Sequence, residues 1–144
     1  MIFKAAKKDI PEIADMAVLL WEGNTAEELA KEFAETVCGE ESAVFIASKD
    51  NNAVGFAQVQ LRHDYVEGTS GSPVGYLEAI FVKEEYRKHG YARELLFQCE
   101  EWAREKGCTE FASDCELTND MSLEFHLKAG FTEANRIICF VKKL

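Results

Sequence analysis

The stretch "LEAIFVKEEYRKHGYARELL", Leu77–Leu96, decides how this chain reads. A mostly apolar segment runs into a cationic cluster, Arg87, Lys88, His89 and Arg93, around Gly90, and then into a helical pattern. The chain around it is acidic, with 26 Asp and Glu against 16 Lys and Arg and a formal net charge of -10. Positive charge gathered at a helix start in such a chain points to an anion held there. The first N–H groups of a helix have no intrahelical partner, and the helix dipole adds positive potential. Gly90 lets the backbone turn and approach a ligand with no Cβ in the way, and Ala92 keeps the next turn slim. These are the ingredients of a phosphate or pyrophosphate site. The same residues also fit a glycine-assisted helix start with solvated basic side chains. A P-loop is excluded, because no G-x-x-x-x-G-K-[ST] occurs. A dinucleotide fingerprint is excluded because Gly90 stands alone.

Outward from this stretch, "VGYLEAIFV" predicts a long strand covered on both faces. Tyr91, Leu95, Leu96, Cys99, Trp102 and Ala103 share one face of the following helix, which Gly107 ends. Upstream, residues 2–5 read as a short strand. Asp9 with Glu12 opens a helix whose stripe is Ile13, Met16, Ala17 and Leu20, ending near Trp21. Thr25 with Glu28 opens a second, carried by Leu29, Phe33 and Val37 to Gly39. "SAVFIASK" and "AVGFAQVQLRH" are strands joined through the hairpin turn "DNN", and "DYVEGTSGSP" is a loop. Downstream, "TEFASD" reads as a short strand, "NDMSLEFHLKAG" as a helix stopped by Gly130, and "RIICFVKKL" as a closing strand. The predicted order is β-α-α-β-β-β-α-β-α-β-β. Strand–helix–strand units in its C-terminal half imply at least one parallel pair in a mixed sheet.

The 144 residues suit one domain, 1–144, with a real core. No apolar run approaches the roughly 20 residues that cross a bilayer, and the N-terminus lacks an apolar signal segment, so no membrane partner is expected. Five scattered cysteines without metal-ligand spacing read as reduced thiols of a cytoplasmic protein, with no metal site. The acidic balance disfavours nucleic acid and would attract a polycation.

The element order, with "LEAIFVKEEYRKHGYA" at its centre, resembles the GCN5-related N-acetyltransferase superfamily. That family's mark is a long strand followed by R/Q-x-x-G-x-G/A, here Arg87, Gly90 and Ala92. A second mark is Asn119 followed by "HLKAGF". Together the marks cover about residues 76–131. Within the superfamily, "HDYVEGTSGSPVGYLE" and "CTEFASD" look like the aminoglycoside 6'-N-acetyltransferases. The resemblance implies an α/β (α+β) fold, with a mixed, mostly antiparallel sheet of about seven strands flanked by four helices. It implies acetyl-CoA as co-substrate and transfer of its acetyl group to the 6'-amine of an aminoglycoside in a ternary complex, conferring resistance. Arg87, Lys88, His89, Gly90, Tyr91, Ala92 and Arg93 would hold the pyrophosphate of coenzyme A. Backbone groups of Ile80, Phe81 and Val82 would pair with the pantetheine arm, and Asn119 would sit nearby. Trp21, Tyr65, Glu78 and Asp114 match positions lining the aminoglycoside site. Asn135 matches a position that is acidic in the subfamily, so one carboxylate is missing there. A homodimer is expected from the same resemblance.

An amine attacks a thioester only when neutral, so the enzyme must bind an ammonium, remove a proton and align two reactants. Glu78 or Asp114, through water, is the expected base, and a backbone N–H of Ile80–Val82 would meet the oxyanion. Many relatives have Tyr at the position of His126, which is the candidate general acid here. Other readings stay open. Trp21 fits a core residue, Tyr65 an exposed loop tyrosine, Asp114 a loop cap and His126 a satisfied helix histidine. Glu78 is harder to explain structurally, since a carboxylate within an apolar strand is costly unless paired or functional. Two alternatives remain for the whole chain: an N-acetyltransferase of a polyamine or other small or protein amine, or a non-catalytic acyl-CoA-binding module.

Overall fold

The computed structural model describes all of residues 1–144. Strands β1 (Ile2–Lys4), β2 (Ser42–Lys49), β3 (Asn52–Arg62), β4 (Val74–Val82) and β5 (Phe111–Ser113) form one sheet in chain order. Four helices accompany it: α1 (Ile10–Leu20), α2 (Ala26–Cys38), α3 (Tyr91–Glu105) and α4 (Asp120–Lys128). The first three strand pairs are antiparallel, and β4–β5 is parallel. Helix α3 makes the crossover between the parallel pair, as a strand–helix–strand unit requires.

Local signals explain most element boundaries. Thr25 accepts the N–H of Glu28 while Glu28 accepts that of Thr25, the reciprocal cap that starts α2. Asp9 departs from expectation: its carboxylate accepts from the Ala6 N–H in a preceding single turn and caps nothing in α1. The β2–β3 hairpin turns on Asp50 and Asn51, both left-handed, with φ 51 and 63. Short polar side chains tolerate that region, and its twist matches the flanking strands.

The sheet is apolar on both faces, so it supports two cores. On one side Leu95, Leu96, Cys99, Trp102 and Ala103 of α3 pack on Val54, Val59, Leu61 and Leu77. On the other, α1 and α2 bring Ile13, Met16, Leu29 and Phe33 onto Val44, Ile46, Phe56 and Phe81. Gly75 is fixed by packing, since a Cβ there would stand 2.6 Å from the Ala103 Cβ. No helix is long and apolar enough to cross a membrane.

Two expectations need correction. The sheet has five strands rather than about seven, and "RIICFVKKL" is not a closing strand. Residues 132–144 make no backbone–backbone hydrogen bond. Ile137, Ile138, Phe140 and Val141 are 70–97% exposed. The segment has a strand's composition but no strand beside it within the protomer, and composition alone forms no ladder.

Candidate active site

The site is built where β4 and β5 part. Their parallel pairing covers only Gly75–Leu77 against Phe111–Ser113. Each strand's next residue is a carboxylate, Glu78 on one and Asp114 on the other. From Glu78 to Val82 the β4 edge facing β5 has no strand partner. Backbone groups of Ile80, Phe81 and Val82 lie along this open edge, which an extended ligand arm could pair with.

Glu78 owes its orientation to a bulge. The β3–β4 register steps from Gln58↔Ala79 to Val59↔Leu77, which leaves Glu78 as the extra residue on β4. Bulges redirect a side chain and are frequent beside active sites. The Glu78 carboxylate is held by the last residue of β3. Arg62 Nε donates to Oε1 and Nη2 to Oε2, both at 2.9 Å. The guanidinium carbon also lies 3.4 Å from the centroid of the Tyr76 ring. The hydrogen bond it donates to Glu78 raises the Arg62 pKa above its already high value, so the group stays charged. Tyr76, 6% exposed, donates its phenol to Asp114 Oδ2. Burial first, then the Asp114 hydrogen bond, pushes the Tyr76 phenol well above its usual range, so it remains a donor. Asp114 Oδ1 has no protein partner, and the residue is exposed. Four side chains thus run in sequence, Glu78, Arg62, Tyr76 and Asp114, across the mouth of the strand divergence.

The start of α3 completes the arrangement. Lys88 (φ 63) and Gly90 (φ 88) both adopt left-handed conformations, a turn that points successive N–H groups outward. The N–H groups of Lys88, His89, Gly90, Tyr91, Ala92 and Arg93 donate to no protein acceptor, and Gly90 brings no side chain to cap them. Gly90 has open space where a Cβ would stand, so its φ and the room it leaves a ligand are its two reasons to be glycine. Arg87 is turned back to donate from Nε to the Val82 carbonyl, and Arg93 donates to the Lys128 carbonyl. These two guanidinia brace the loop, while the side chains of Lys88 and His89 are exposed.

A profile of the acetyltransferase (GNAT) family matches residues 10–131. The chain belongs to that family. Among curated relatives of this GNAT chain is an aminoglycoside N(6')-acetyltransferase type 1 of Serratia marcescens. It is 38% identical over 126 residues, 87% of this chain and 86% of the relative. Another, from Stenotrophomonas maltophilia, is 37% identical over 140 residues, 96% of this chain and 90% of the relative. The solved structure of AAC(6')-Iy in complex with the bisubstrate analog CoA-S-monomethyl-acetylneamine superposes with a TM-score of 0.95. It is 35% identical and covers 100% of this chain and 98% of that one.

The remaining expected site residues fall in three places. Trp21 packs at the α1–α2 side of the sheet, stacked on Phe33 at 6.2 Å between centroids and edge-on to Phe56. Asn119 caps α4, accepting the Ser122 N–H. His126 has both ring nitrogens engaged, Nδ1 with the Ser122 carbonyl at 2.6 Å and Nε2 with Ser113 Oγ at 2.7 Å. A carbonyl only accepts, so Nδ1 carries the proton, and in the neutral ring Nε2 accepts from Ser113. Tyr65, 77% exposed, and Asn135 meet at a residue that sequence reasoning missed, Glu67. Asn135 Nδ2 donates to its Oε1 at 3.2 Å and the Tyr65 hydroxyl reaches its Oε2 at 3.5 Å. A carboxylate of the β3–β4 loop thus stands beside position 135. Arg62 and Tyr76 were also missed, because only the strand register sets them beside Glu78 and Asp114.

Proposed function

We propose that this chain transfers the acetyl group of acetyl-CoA to the 6'-amine of aminoglycosides by direct attack in a ternary complex, conferring resistance. The carrying observation is the parting of β4 and β5 at the two carboxylates, together with a helix start that has six unpartnered N–H groups. The first feature suits a polycationic amine and the second a pyrophosphate. Acetyl-CoA supplies the activated acyl group. Lys88–Arg93 would hold its pyrophosphate, and Ile80–Val82 would align its extended arm and offer an N–H to the developing oxyanion.

Within this reading Asp114 accepts the amine proton through water, because its Oδ1 is free while both Glu78 oxygens face a guanidinium. Glu78 anchors an ammonium, and Glu67, Tyr65, Asn135 and Trp21 line the remainder of the acceptor site. In its imidazolium form His126 would donate from Nε2 to Ser113 Oγ, which would pass its own hydroxyl proton to the departing thiolate. The whole chain, 1–144, acts as one cytoplasmic domain. The test is thiol release from acetyl-CoA with paired drugs. Turnover is expected with a 6'-amine such as kanamycin and not with a 6'-hydroxyl. Silence across the panel, alongside tight acetyl-CoA binding, would point to polyamines or protein amines instead.

We also infer a homodimer joined through the C-terminal segment. Residues 134–144 carry Arg136, Lys142 and Lys143 and no acidic side chain, whereas residues 110–120 carry Glu110, Asp114, Glu116 and Asp120 and no basic one. The outer edge of β5 is unpaired. A second copy's segment would complete that edge, as an added strand does, with complementary charge. Light scattering should give about twice the 16.2 kDa chain mass. Ile138→Asp with Phe140→Asp, both exposed in the protomer, should give monomers that remain folded. A monomeric unmodified chain, or a dimeric double variant, would overturn this interface.

A further inference from the structure

We propose that Arg62 is a positioning residue of the reaction, a fixed clamp that orients Glu78 and leaves proton removal to Asp114. This rests on reading the β4–β5 divergence as the amine site. The observations are geometric. The guanidinium meets both Glu78 oxygens at 2.9 Å, in the paired fork that an arginine matches and a lysine does not. It lies on the Tyr76 ring, 3.4 Å from the centroid, where a cation is attracted to the aromatic face. Tyr76 in turn donates to Asp114. One side chain therefore touches the groups that set both carboxylates.

Stability does not explain the clamp. The Arg62 and Glu78 side chains are 39% and 22% exposed, and pairs this open to water contribute little to stability. Orientation explains it better. Glu78 is the extra residue of a bulge, so no residue stands directly opposite it on β3. A free glutamate loses about 1–2 kcal/mol of rotamer entropy when it is ordered. Arg62 moves that ordering into folding, so that the amine meets a carboxylate already aimed. It also engages the oxygens that would otherwise compete for the proton. Asp114 Oδ1 remains the open acceptor.

The experiment is steady-state kinetics with kanamycin and acetyl-CoA on the full chain, comparing Arg62→Met, Arg62→Lys, Glu78→Gln and the Arg62→Met/Glu78→Gln double variant. Methionine keeps a side chain packed on Tyr76. Arg62→Met is expected to lower kcat by roughly tenfold to a hundredfold, the scale of misaligned reactants. Its KM for acetyl-CoA should stay within about twofold, as for a residue outside that substrate's contacts. Arg62→Lys should recover less than about a third of the loss, because lysine cannot form the fork. In the Glu78→Gln background, Arg62→Met should add less than about twofold, the signature of a residue acting through its partner. Full activity of Arg62→Lys would make charge alone sufficient and overturn the clamp. Multiplying losses in the double variant, or an unaffected Arg62→Met, would do the same. Absence of drug turnover by the unmodified protein would sink the amine-site reading and the clamp together, whereas turnover with an indifferent Arg62 sinks only the clamp.

Discussion

Gly90→Asp is expected to abolish useful acetyl-CoA binding while leaving the protein folded. Nothing lies within 4 Å of a Cβ at this position, so the substitution meets no steric obstacle there. Its φ of 88 lies in the left-handed region, which aspartate enters more readily than most residues. The left-handed backbone costs the folded protein about 1–3 kcal/mol, and the larger penalty falls on the ligand. A carboxylate would sit among six N–H groups that have no protein acceptor, satisfy some of them, and repel a pyrophosphate. A like charge at such a site costs several kcal/mol, and about 3 kcal/mol corresponds to roughly a hundredfold in Kd. Calorimetric titration with acetyl-CoA, beside a melting curve, measures it. Unchanged affinity in a folded variant would refute the assignment of this loop.

Asp114→Ala is expected to lower kcat for kanamycin by about 10²–10⁴-fold, the range for loss of a general base. Acetyl-CoA affinity should stay as it was, because Asp114, which follows β5, is not among the groups that would hold the pyrophosphate or the extended arm. Alanine also strips the Tyr76 hydroxyl of its acceptor. An unsatisfied group that is nearly buried costs about 1–3 kcal/mol of stability. Asp114→Asn separates the two effects, since its amide oxygen can still accept from Tyr76. A comparable kcat loss in Asp114→Asn, without the drop in melting temperature, is the expected outcome. Near-normal turnover in the asparagine variant would remove Asp114 from proton transfer and return that role to Glu78.

These two variants test features of different legibility. The α3 start could be read directly, because Arg87, Gly90 and Ala92 are neighbours in the chain and a helix N-terminus is a local object. The Thr25–Glu28 cap and the Asp50–Asn51 turn are local in the same sense, and the structure bears both out. Glu78 and Asp114 could be named as unusual carboxylates, one inside an apolar strand and one at a strand end. Their partners could not. Arg62 is 16 residues from Glu78, Tyr76 is 38 from Asp114 and Glu67 is 68 from Asn135. The first two pairings depend on strand register, where a one-residue slip reverses which face every side chain occupies, and the third on where a loop meets the C-terminal segment.

The C-terminal segment shows the same division from the other side. Its composition reads as a strand, yet the protomer offers "RIICFVKKL" no ladder. Apolar periodicity reports what a segment can bury, and only the tertiary structure reports whether a partner lies within reach. For this protein the sequence alone determined the glycine turn at the α3 start, the Thr25–Glu28 cap, the hairpin and the family marks, all of which depend on residues a few positions apart. The tertiary structure decided the bulge that turns Glu78, the clamp of Arg62 and the carboxylate of Glu67 beside Asn135. It also decided that the last residues stand unpaired, because each of these depends on which distant parts of the chain come together.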